Sequence, residues 1–290
     1  MKSAWREFYA ARFAVAVATL ACAGCGGRTG LFVERVPPSI DAALEAAPPP
    51  IFPILAVIQS PASGEGTFSY GLTQFDPETS AFEDVGAIPC LQAIDDNVLS
   101  MTVDCGGAVY LQLEATGLWR VTTSKANCGP TPFNADAQHF STNAALGFVG
   151  SGGGSGTLYF VALDLSHNPP SPELGVIDTS TYTARRVAPF GAATSGQPIL
   201  AGTPDGGLFV WLRGGLDQVD TSTGAVTSLG PLVNVGSADG LAFWGGSLYI
   251  FHVLPTFLTS VERFTPGESS VANVAMTNRL IVAAAASPCP

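Results

Sequence analysis

Apolar residues recur along the chain in a short pattern that is repeated five times. In each copy, an aliphatic residue stands three positions before a second apolar residue, and an aspartate or threonine follows. The copies are Leu72-x-x-Phe75-Asp76, Leu118-x-x-Val121-Thr122, Leu174-x-x-Ile177-Asp178, Leu216-x-x-Val219-Asp220 and Val261-x-x-Phe264-Thr265. They lie 42 to 56 residues apart, which is a spacing typical of propeller blades, each of them a four-stranded sheet. The pattern therefore predicts five blades around a central axis.

A glycine before an apolar stretch is the second repeated element, and it stands upstream of four of the five copies. The segments are Gly107-Ala108-Val109-Tyr110, Gly156-Thr157-Leu158-Tyr159, Gly207-Leu208-Phe209 and Gly246-Ser247-Leu248-Tyr249. Glycine adopts the positive φ that tight hairpins need, and the apolar residues after it are typical of a half-buried strand. We expect each blade to contain strand A, a hairpin, strand B, a longer connection, strand C, a polar turn and strand D.

The strands nearest the axis are predicted by apolar runs of small residues directly before the hairpins, at 98–103, 144–149, 198–202 and 238–244. The first blade lacks such a run before its strand at 54–58, whereas a matching run, 280–286, follows the fifth blade. We therefore predict an all-β propeller of five four-stranded blades, in which the C-terminal strand closes the ring and removes exposed sheet edges. An open β-sandwich is the alternative, because regular turn signals suit that fold as well.

The first 21 residues have the features of a secretory signal. Lys2, Arg6 and Arg12 precede an apolar stretch, 13–21, that is too short to span a bilayer as a stable helix. Cys22 follows small and aliphatic residues, as in the motif at which bacterial lipoproteins are cleaved and lipidated. We predict that Cys22 is the lipidated residue, with Cys25 as the alternative site. Cleavage of an ordinary secretory signal is the other interpretation.

A tether is predicted after the lipidated cysteine. Residues 28–53 are rich in alanine and proline, a composition that does not form a core. We therefore assign 1–21 to the signal peptide, 22–52 to the lipidated N-terminus and tether, and 53–290 to the propeller domain. Acyl chains on the cysteine would hold the domain on a membrane. The predicted location is the bacterial cell envelope, as a lipoprotein anchored in the outer membrane that faces the periplasm or the cell surface.

Four further cysteines form an even set without the C-x-x-C spacing of many metal sites: Cys90, Cys105, Cys128 and Cys289. In an oxidising compartment they would form up to two disulfides, and the sequence is compatible with three pairings. Because Cys289 follows the predicted closing strand, a bond to it would lock the seam of the ring. Free buried cysteines are the alternative.

The chain carries a net charge of −11 and has no cluster of lysine and arginine. Binding to nucleic acid is therefore not expected, since neutralising phosphates requires grouped cations. We expect a monomer that contacts the membrane through its acyl chains and binds a protein or a glycan.

Several segments carry a resemblance to a known group of proteins. They are the run Cys25–Gly30, the tether, the strand pattern Leu216–Gly224, the segment Ala242–Gly246 and the cysteine-containing end Ser287–Pro290. In these segments the chain resembles uncharacterised myxobacterial lipoproteins with a β-propeller-like repeat domain. The resemblance spans nearly the whole chain, but its motifs concern structure and lipidation. It implies a periplasmic or surface location and supplies no catalytic residue.

One face of the predicted ring carries polar residues that suit a ligand. In a propeller, the B-to-C and D-to-A connections open on the same face, and the sequence places three histidines and several acids there. The candidate residues are His139, His167, His252, Asp95 and Asp96. Imidazole and carboxylate groups bind metals and polar ligands, although solvated loops also collect such residues. We predict that the functional surface is this face, with the three histidines on one side of the ring.

The function we predict is that of a lipid-anchored, non-enzymatic binding or scaffold module without a cofactor. The sequence lacks the motifs of hydrolase nucleophiles, P-loops, calcium loops and zinc proteases. One alternative is a metal-dependent propeller hydrolase or lactonase, in which His139 and Asp95 or Asp96 would hold a divalent ion. The other is a purely structural envelope protein. The aspartates that end strand C are expected to organise the following turns rather than to catalyse: Asp76, Asp178 and Asp220.

Overall fold

The computed structural model describes residues 53–61, 68–92, 94, 96–123, 127–192, 196–212, 214–231, 238–268 and 270–289. The predicted signal peptide and tether lie outside the described residues, as do Cys22, Cys25 and Asp95. The assigned domain boundaries therefore stay a prediction.

The described residues form five antiparallel sheets of four strands each. Blade 1 contains β1 (Ile54–Pro61), β2 (Phe68–Asp76) and β3 (Ala81–Ala87). Blade 2 contains β4 (Val98–Val103), β5 (Ala108–Leu113), β6 (Gly117–Thr122) and β7 (Asn127–Pro130). Blade 3 contains β8 (Ala145–Gly150), β9 (Gly156–Asp164), β10 (Ser171–Asp178) and β11 (Thr183–Pro189). Blade 4 contains β12 (Ile199–Gly202), β13 (Leu208–Leu212), β14 (Gly215–Val219) and β15 (Val226–Pro231). Blade 5 contains β16 (Gly240–Trp244), β17 (Ser247–Val253), β18 (Thr259–Phe264) and β19 (Ala272–Thr277), and the last strand, β20 (Leu280–Ala285), joins blade 1.

The prediction of a five-bladed propeller is confirmed, including its closure by the C-terminal strand. Strand β20 pairs antiparallel with β1, from Leu55 opposite Ala285 to Gln59 opposite Leu280. It supplies the A strand that blade 1 lacks in its own part of the sequence. The A strands of neighbouring blades contact one another, so β20, β4, β8, β12 and β16 form the inner ring.

The core lies between the blades, because each sheet packs on both of its faces. Every residue of β5 and β13 is buried, so these B strands lack the polar alternation of a strand with one wet face. Aromatic rings connect neighbouring blades: Phe75 meets Phe251 edge-on at 5.8 Å between blades 1 and 5, and Phe209 stacks on Phe243 at 6.2 Å between blades 4 and 5. Such pairs add to the energy of burial alone.

The inner ring requires small residues because neighbouring backbones approach closely there. A Cβ added to Gly202 in β12 would overlap the carbonyl oxygen of Phe148 in β8. A Cβ added to Gly240 in β16 would lie 2.6 Å from the backbone nitrogen of Ala284 in β20. The small-residue runs of the sequence therefore reflect the crowding of the A strands.

Two disulfides join distant parts of blades 1 and 2. Cys90, in the short helix α1 (Pro89–Gln92), bonds to Cys128 in β7, and Cys105, in the turn between β4 and β5, bonds to Cys289 after β20. This selects one of the three pairings that the sequence left open. Because disulfides persist in oxidising compartments, the two bonds indicate an extracytoplasmic protein.

Helical structure is sparse in the described part of the chain. It consists of α1 and a single 3-10 turn at Asp136–Gln138. In that part of the chain no helix combines the length and the apolar character that crossing a membrane requires.

The B-to-C connections are shorter than the sequence predicts. From the sequence we predict long B-to-C loops at 59–71, 163–173 and 252–260, but β1, β9 and β17 extend into these ranges, as do the C strands opposite. The cause is the backbone ladder, which pairs residues regardless of whether their side chains are apolar. His252 consequently lies within the ladder of β17.

Candidate functional site

The two faces of the ring are formed by different connections. We call the surface formed by the B-to-C and D-to-A connections the loop face; it includes 88–92, 114–116, 131–144, 165–170, 196–198 and 254–258. We call the surface formed by the A-to-B and C-to-D turns the hairpin face; it includes 104–107, 151–155, 179–182, 203–207 and 220–225.

The three candidate histidines lie at the loop-face end of the blades, but the structure does not bring them together. His139 follows the 3-10 turn with a φ of 61°, and its carbonyl accepts a hydrogen bond from the Leu165 amide at 2.8 Å. His167 lies in the B-to-C connection of blade 3, two residues after Leu165, and is exposed. His252 belongs to blade 5 and is 95% buried. Among the described residues, no group of three His, Cys, Asp or Glu side chains has the arrangement of a metal site.

Asp96 has a structural role at the loop face. Its carboxylate accepts hydrogen bonds from the amides of Ala115 and Thr116 and from the Thr116 hydroxyl, at 2.7 to 3.2 Å. Burial alone would raise the pKa of Asp96, but the hydrogen bonds from Ala115, Thr116 and Asn97 outweigh it and hold the pKa below its usual value. The carboxylate therefore caps the B-to-C turn of blade 2, and both of its oxygens are engaged in hydrogen bonds there.

The aspartates that end strand C organise the turns that follow, as the sequence predicts. Asp76 accepts from the Glu78 amide at 2.8 Å, Asp178 from the Ser180 amide at 2.8 Å, and Asp220 from the Ser222 amide at 2.8 Å. In each case a hydroxyl of the same turn donates a second bond, which together with the amide lowers the pKa of the carboxyl group.

An ion pair in blade 3 was not anticipated from the sequence. Asp164, at the end of β9, is fully buried, and its two oxygens accept from the Arg186 guanidinium at 2.6 and 2.8 Å. The Arg186 hydrogen bonds hold the pKa of Asp164 well below its usual range. The guanidinium also lies 4.7 Å from the centre of the Phe140 ring, and the His167 imidazole lies 3.1 Å from Asp164. This cluster attaches the D-to-A connection that carries His139 to the rim of blade 3.

Glu173 adds a further acid to this cluster. It is buried, and burial followed by the charge of Asp164 raises its pKa. The signal for these residues is weak in the sequence, because single charged residues in β-strands are most often solvated.

A second buried pair occupies the side of blade 5 that faces blade 4. His252 Nε2 lies 3.8 Å from Glu262 Oε1, and the side chains are 6% and 14% exposed. His252 Nδ1 and Glu262 Oε2 make no hydrogen bond. Burial raises the pKa of Glu262, as expected for a carboxyl group taken out of water.

A cavity of about 310 Å³ opens on the loop face between blades 3 and 4. Its lining residues come from two D-to-A connections and from the second half of one B strand: Ser141, Asn143, Val161, Ala162, Leu163, Gly196, Gln197 and Pro198. The sequence shows no motif at these positions. The cavity arises only where the two D-to-A connections meet the end of β9.

Two hydrogen bonds between Ser141 and Leu163 join neighbouring walls of this cavity. The Ser141 amide donates to the Leu163 carbonyl at 2.9 Å, and the Leu163 amide donates to the Ser141 hydroxyl at 3.1 Å. Asn143 and Gln197 are exposed, so their amide groups are accessible to a ligand. Among the described residues that line the cavity there is no acid, base or aromatic residue, and the cavity volume is at the lower end for small-ligand sites.

Comparisons with known proteins find only distant similarity to solved structures. No family model and no curated protein match the chain. Among solved structures, TolB from Acinetobacter baumannii is 18% identical over 76% of this chain and 52% of that one, with a TM-score of 0.43. The extracellular domain of a protein described as a hybrid two-component system of B. thetaiotaomicron is 13% identical over 75% of this chain and 28% of that one, with a TM-score of 0.39.

An oligogalacturonate lyase in complex with manganese is 11% identical over 77% of this chain and 67% of that one, with a TM-score of 0.37. The chain thus spans about half the length of the TolB structure. All three TM-scores lie below 0.5, and we base no functional argument on them.

Proposed function

We propose that this protein is a lipid-anchored β-propeller of the bacterial cell envelope that binds a partner through its loop face, without catalysing a reaction. The observation that carries the proposal is the cavity between blades 3 and 4. Its accessible polar groups are the amides of Asn143 and Gln197, which bind neutral groups but do not exchange protons near neutral pH. Binding residues concentrate on connections that a rigid scaffold positions.

The position at which the chain enters the propeller supports binding at the loop face. The first residues of β1 pair with the last residues of β20, Leu55 with Ala285, and Cys289 bonds to the A-to-B turn of blade 2. The beginning of β1 therefore lies at the hairpin face. A lipid tether that ends at residue 52 would join the domain at its hairpin face and leave the opposite loop face free for a partner.

Lipid anchoring is tested by fractionation of cells that express single variants. We expect Cys22→Ser to move the protein from the membrane to the soluble fraction and to abolish incorporation of labelled fatty acid, because one sulfur carries the diacylglycerol. Cys25→Ser is the matched control and should leave both unchanged. Labelling that is lost only in Cys25→Ser would assign lipidation to Cys25.

Binding at the loop face is tested by site-specific photocrosslinking in cells. A photoreactive residue at position 143 should give a discrete adduct, whereas the same residue at position 206, on the hairpin face, should give none. Equal adducts at both positions, or none at position 143, would contradict the proposed binding role and favour a purely structural one.

A further inference from the structure

We infer that the cavity between blades 3 and 4 binds an extended peptide segment with an apolar side chain and basic flanking residues. The inference rests on the proposed binding function of the loop face and names the chemical class of its ligand.

The first argument is the chemistry of the lining. Asn143 and Gln197 each offer a carbonyl acceptor and an NH₂ donor, which match the N–H and C=O groups of a peptide backbone. Ser141 contributes a hydroxyl whose oxygen already accepts from Leu163. A peptide backbone is neutral, so it fits a wall without charged groups better than a carboxylate or phosphate ligand, which would require a cation.

The second argument is the apolar part of the wall. Val161, Leu163 and Pro198 line the cavity, and Leu163 is 37% exposed. Val161 and Pro198 are already buried, so an apolar side chain placed here would remove mainly the exposed surface of Leu163 and its own surface from water, which is favourable by roughly 25 cal/mol per Å². A glycan lacks such a side chain, and the described lining residues include no aromatic ring on which a sugar face would pack.

The third argument is the charge of the loop face as far as the structure describes it. The chain carries a net charge of −11, and the loop face exposes Glu114 and Asp136. Among the described residues of this end of the ring, the cations Arg186 and Arg279 are paired with Asp164 and Asp84. Among the described residues, the unbalanced charge of the loop face is therefore negative, which favours a partner with basic residues.

The experiment measures binding of labelled, N-acetylated and C-amidated pentapeptides to the purified mature protein by fluorescence anisotropy. The probes are Lys-Ala-Leu-Ala-Lys, its Lys-Ala-Asp-Ala-Lys analogue, and a labelled neutral chito-oligosaccharide. We expect saturable binding of the leucine peptide, at least tenfold weaker binding of the aspartate peptide, and weaker binding at high salt because exposed charges are screened.

The double variant Asn143→Ala, Gln197→Ala should weaken binding of the leucine peptide at least tenfold. Gln92→Ala, which removes an exposed amide elsewhere on the loop face, is the matched control and should leave it unchanged. If the oligosaccharide binds, the peptides do not, and the double variant abolishes sugar binding, the binding function stands and the peptide inference fails. If neither probe binds, or if Gln92→Ala weakens binding as much as the double variant, the peptide inference is also overturned, while the crosslink at position 143 decides the binding function separately.

Discussion

Cys289 forms a disulfide with Cys105 across a sequence separation of 184 residues. The bond joins the segment that follows β20 to the A-to-B turn of blade 2, and nearby the Ser287 hydroxyl donates to the Asp104 carbonyl at 3.0 Å. Because β20 also pairs with β1 of blade 1, the closing strand is held by hydrogen bonds on one side and by a covalent bond on the other.

We expect the double variant Cys105→Ser, Cys289→Ser to lower the free energy of unfolding by about 3–5 kcal/mol, because it frees a long loop in the unfolded chain. The measurement is chemical denaturation at constant pH. The comparison is the double variant Cys90→Ser, Cys128→Ser, which opens a loop with a separation of 38 residues. It should lower the free energy of unfolding by about 1 kcal/mol less than the first double variant does. Equal stability of the wild type with and without reductant would contradict this prediction.

Removal of the closing strand is expected to unfold the domain. A chain that ends at residue 278 lacks β20, which leaves β1 with an unpaired edge and exposes the apolar inner surface of blade 1. Size-exclusion chromatography and thermal melting should show aggregation or loss of the cooperative transition. A monomeric truncated protein with an unchanged melting temperature would show that closure is not required.

Crowding in the inner ring predicts that Gly202→Ala is destabilising. The added methyl group would overlap the backbone of Phe148, and overpacking of this kind costs about 1–3 kcal/mol. Gly129→Ala is the matched control in a strand, because an added Cβ meets no atom within 4 Å there. The melting temperature should fall for Gly202→Ala alone, and equal melting temperatures of the two variants would refute the explanation.

Loss of the ion pair in blade 3 is expected to destabilise the rim that carries His139. Arg186→Ala leaves the buried Asp164 carboxylate with Ser166 and His167 as its remaining side-chain partners. We expect a loss of about 2–3 kcal/mol, less than for a fully buried pair because Arg186 is partly exposed. Arg185→Ala removes the exposed neighbouring arginine and should be close to neutral in the same denaturation experiment.

The contribution of the Asp164–Arg186 pair to stability is expected to fall as the pH is lowered. The folded-state pKa of Asp164 is lowered, so its contribution to stability is present above the unfolded pKa and is lost as the pH falls through the folded value. The wild type and Arg186→Ala should therefore converge in stability in strong acid. A constant difference from neutral to acid pH would argue against the ion pair as the cause.

The partly buried Glu262 predicts the opposite pH dependence. Because burial raises its pKa in the folded protein, its contribution is fully present below the unfolded pKa and is lost as the pH rises through the folded value. Burial is also the main reason why the pKa values of Asp239 and Glu173 are raised. The experiment therefore compares the wild type with a variant that changes Glu262 alone. Glu262→Gln should be more stable than the wild type at pH 8 and lose that advantage towards pH 5.

The control for this prediction is Glu268→Gln, which makes the same change at an exposed residue and should leave the difference between pH 5 and pH 8 unchanged. Melting temperatures across this range provide the measurement. A Glu262→Gln profile that parallels the wild type would show that Glu262 does not titrate differently in the folded and unfolded states.

The sequence by itself determined the architecture, because the features that specify a propeller are local and repeated. The Leu-x-x-apolar-Asp pattern marks strand C, a glycine marks the A-to-B hairpin, and the unmatched apolar run at 280–286 marks the closing strand. The first two reflect backbone geometry within one blade, and the third follows from comparing the five blades with one another, so none of them requires knowledge of a contact between distant residues. The same holds for Asp178, whose turn lies within its own blade.

Only the tertiary structure decided what lies between the blades. The pairing of Cys105 with Cys289, the ion pair of Asp164 with Arg186 and the cavity beside Leu163 join segments whose sequence separation carries no signal. The sequence places His252 on the loop face at the end of strand B, and the structure keeps it there, but only the packing of the blades shows that it lies in the interface with blade 4, beside Glu262. These relationships depend on how the blades rotate and pack around the axis, and that packing is a property of the closed ring as a whole.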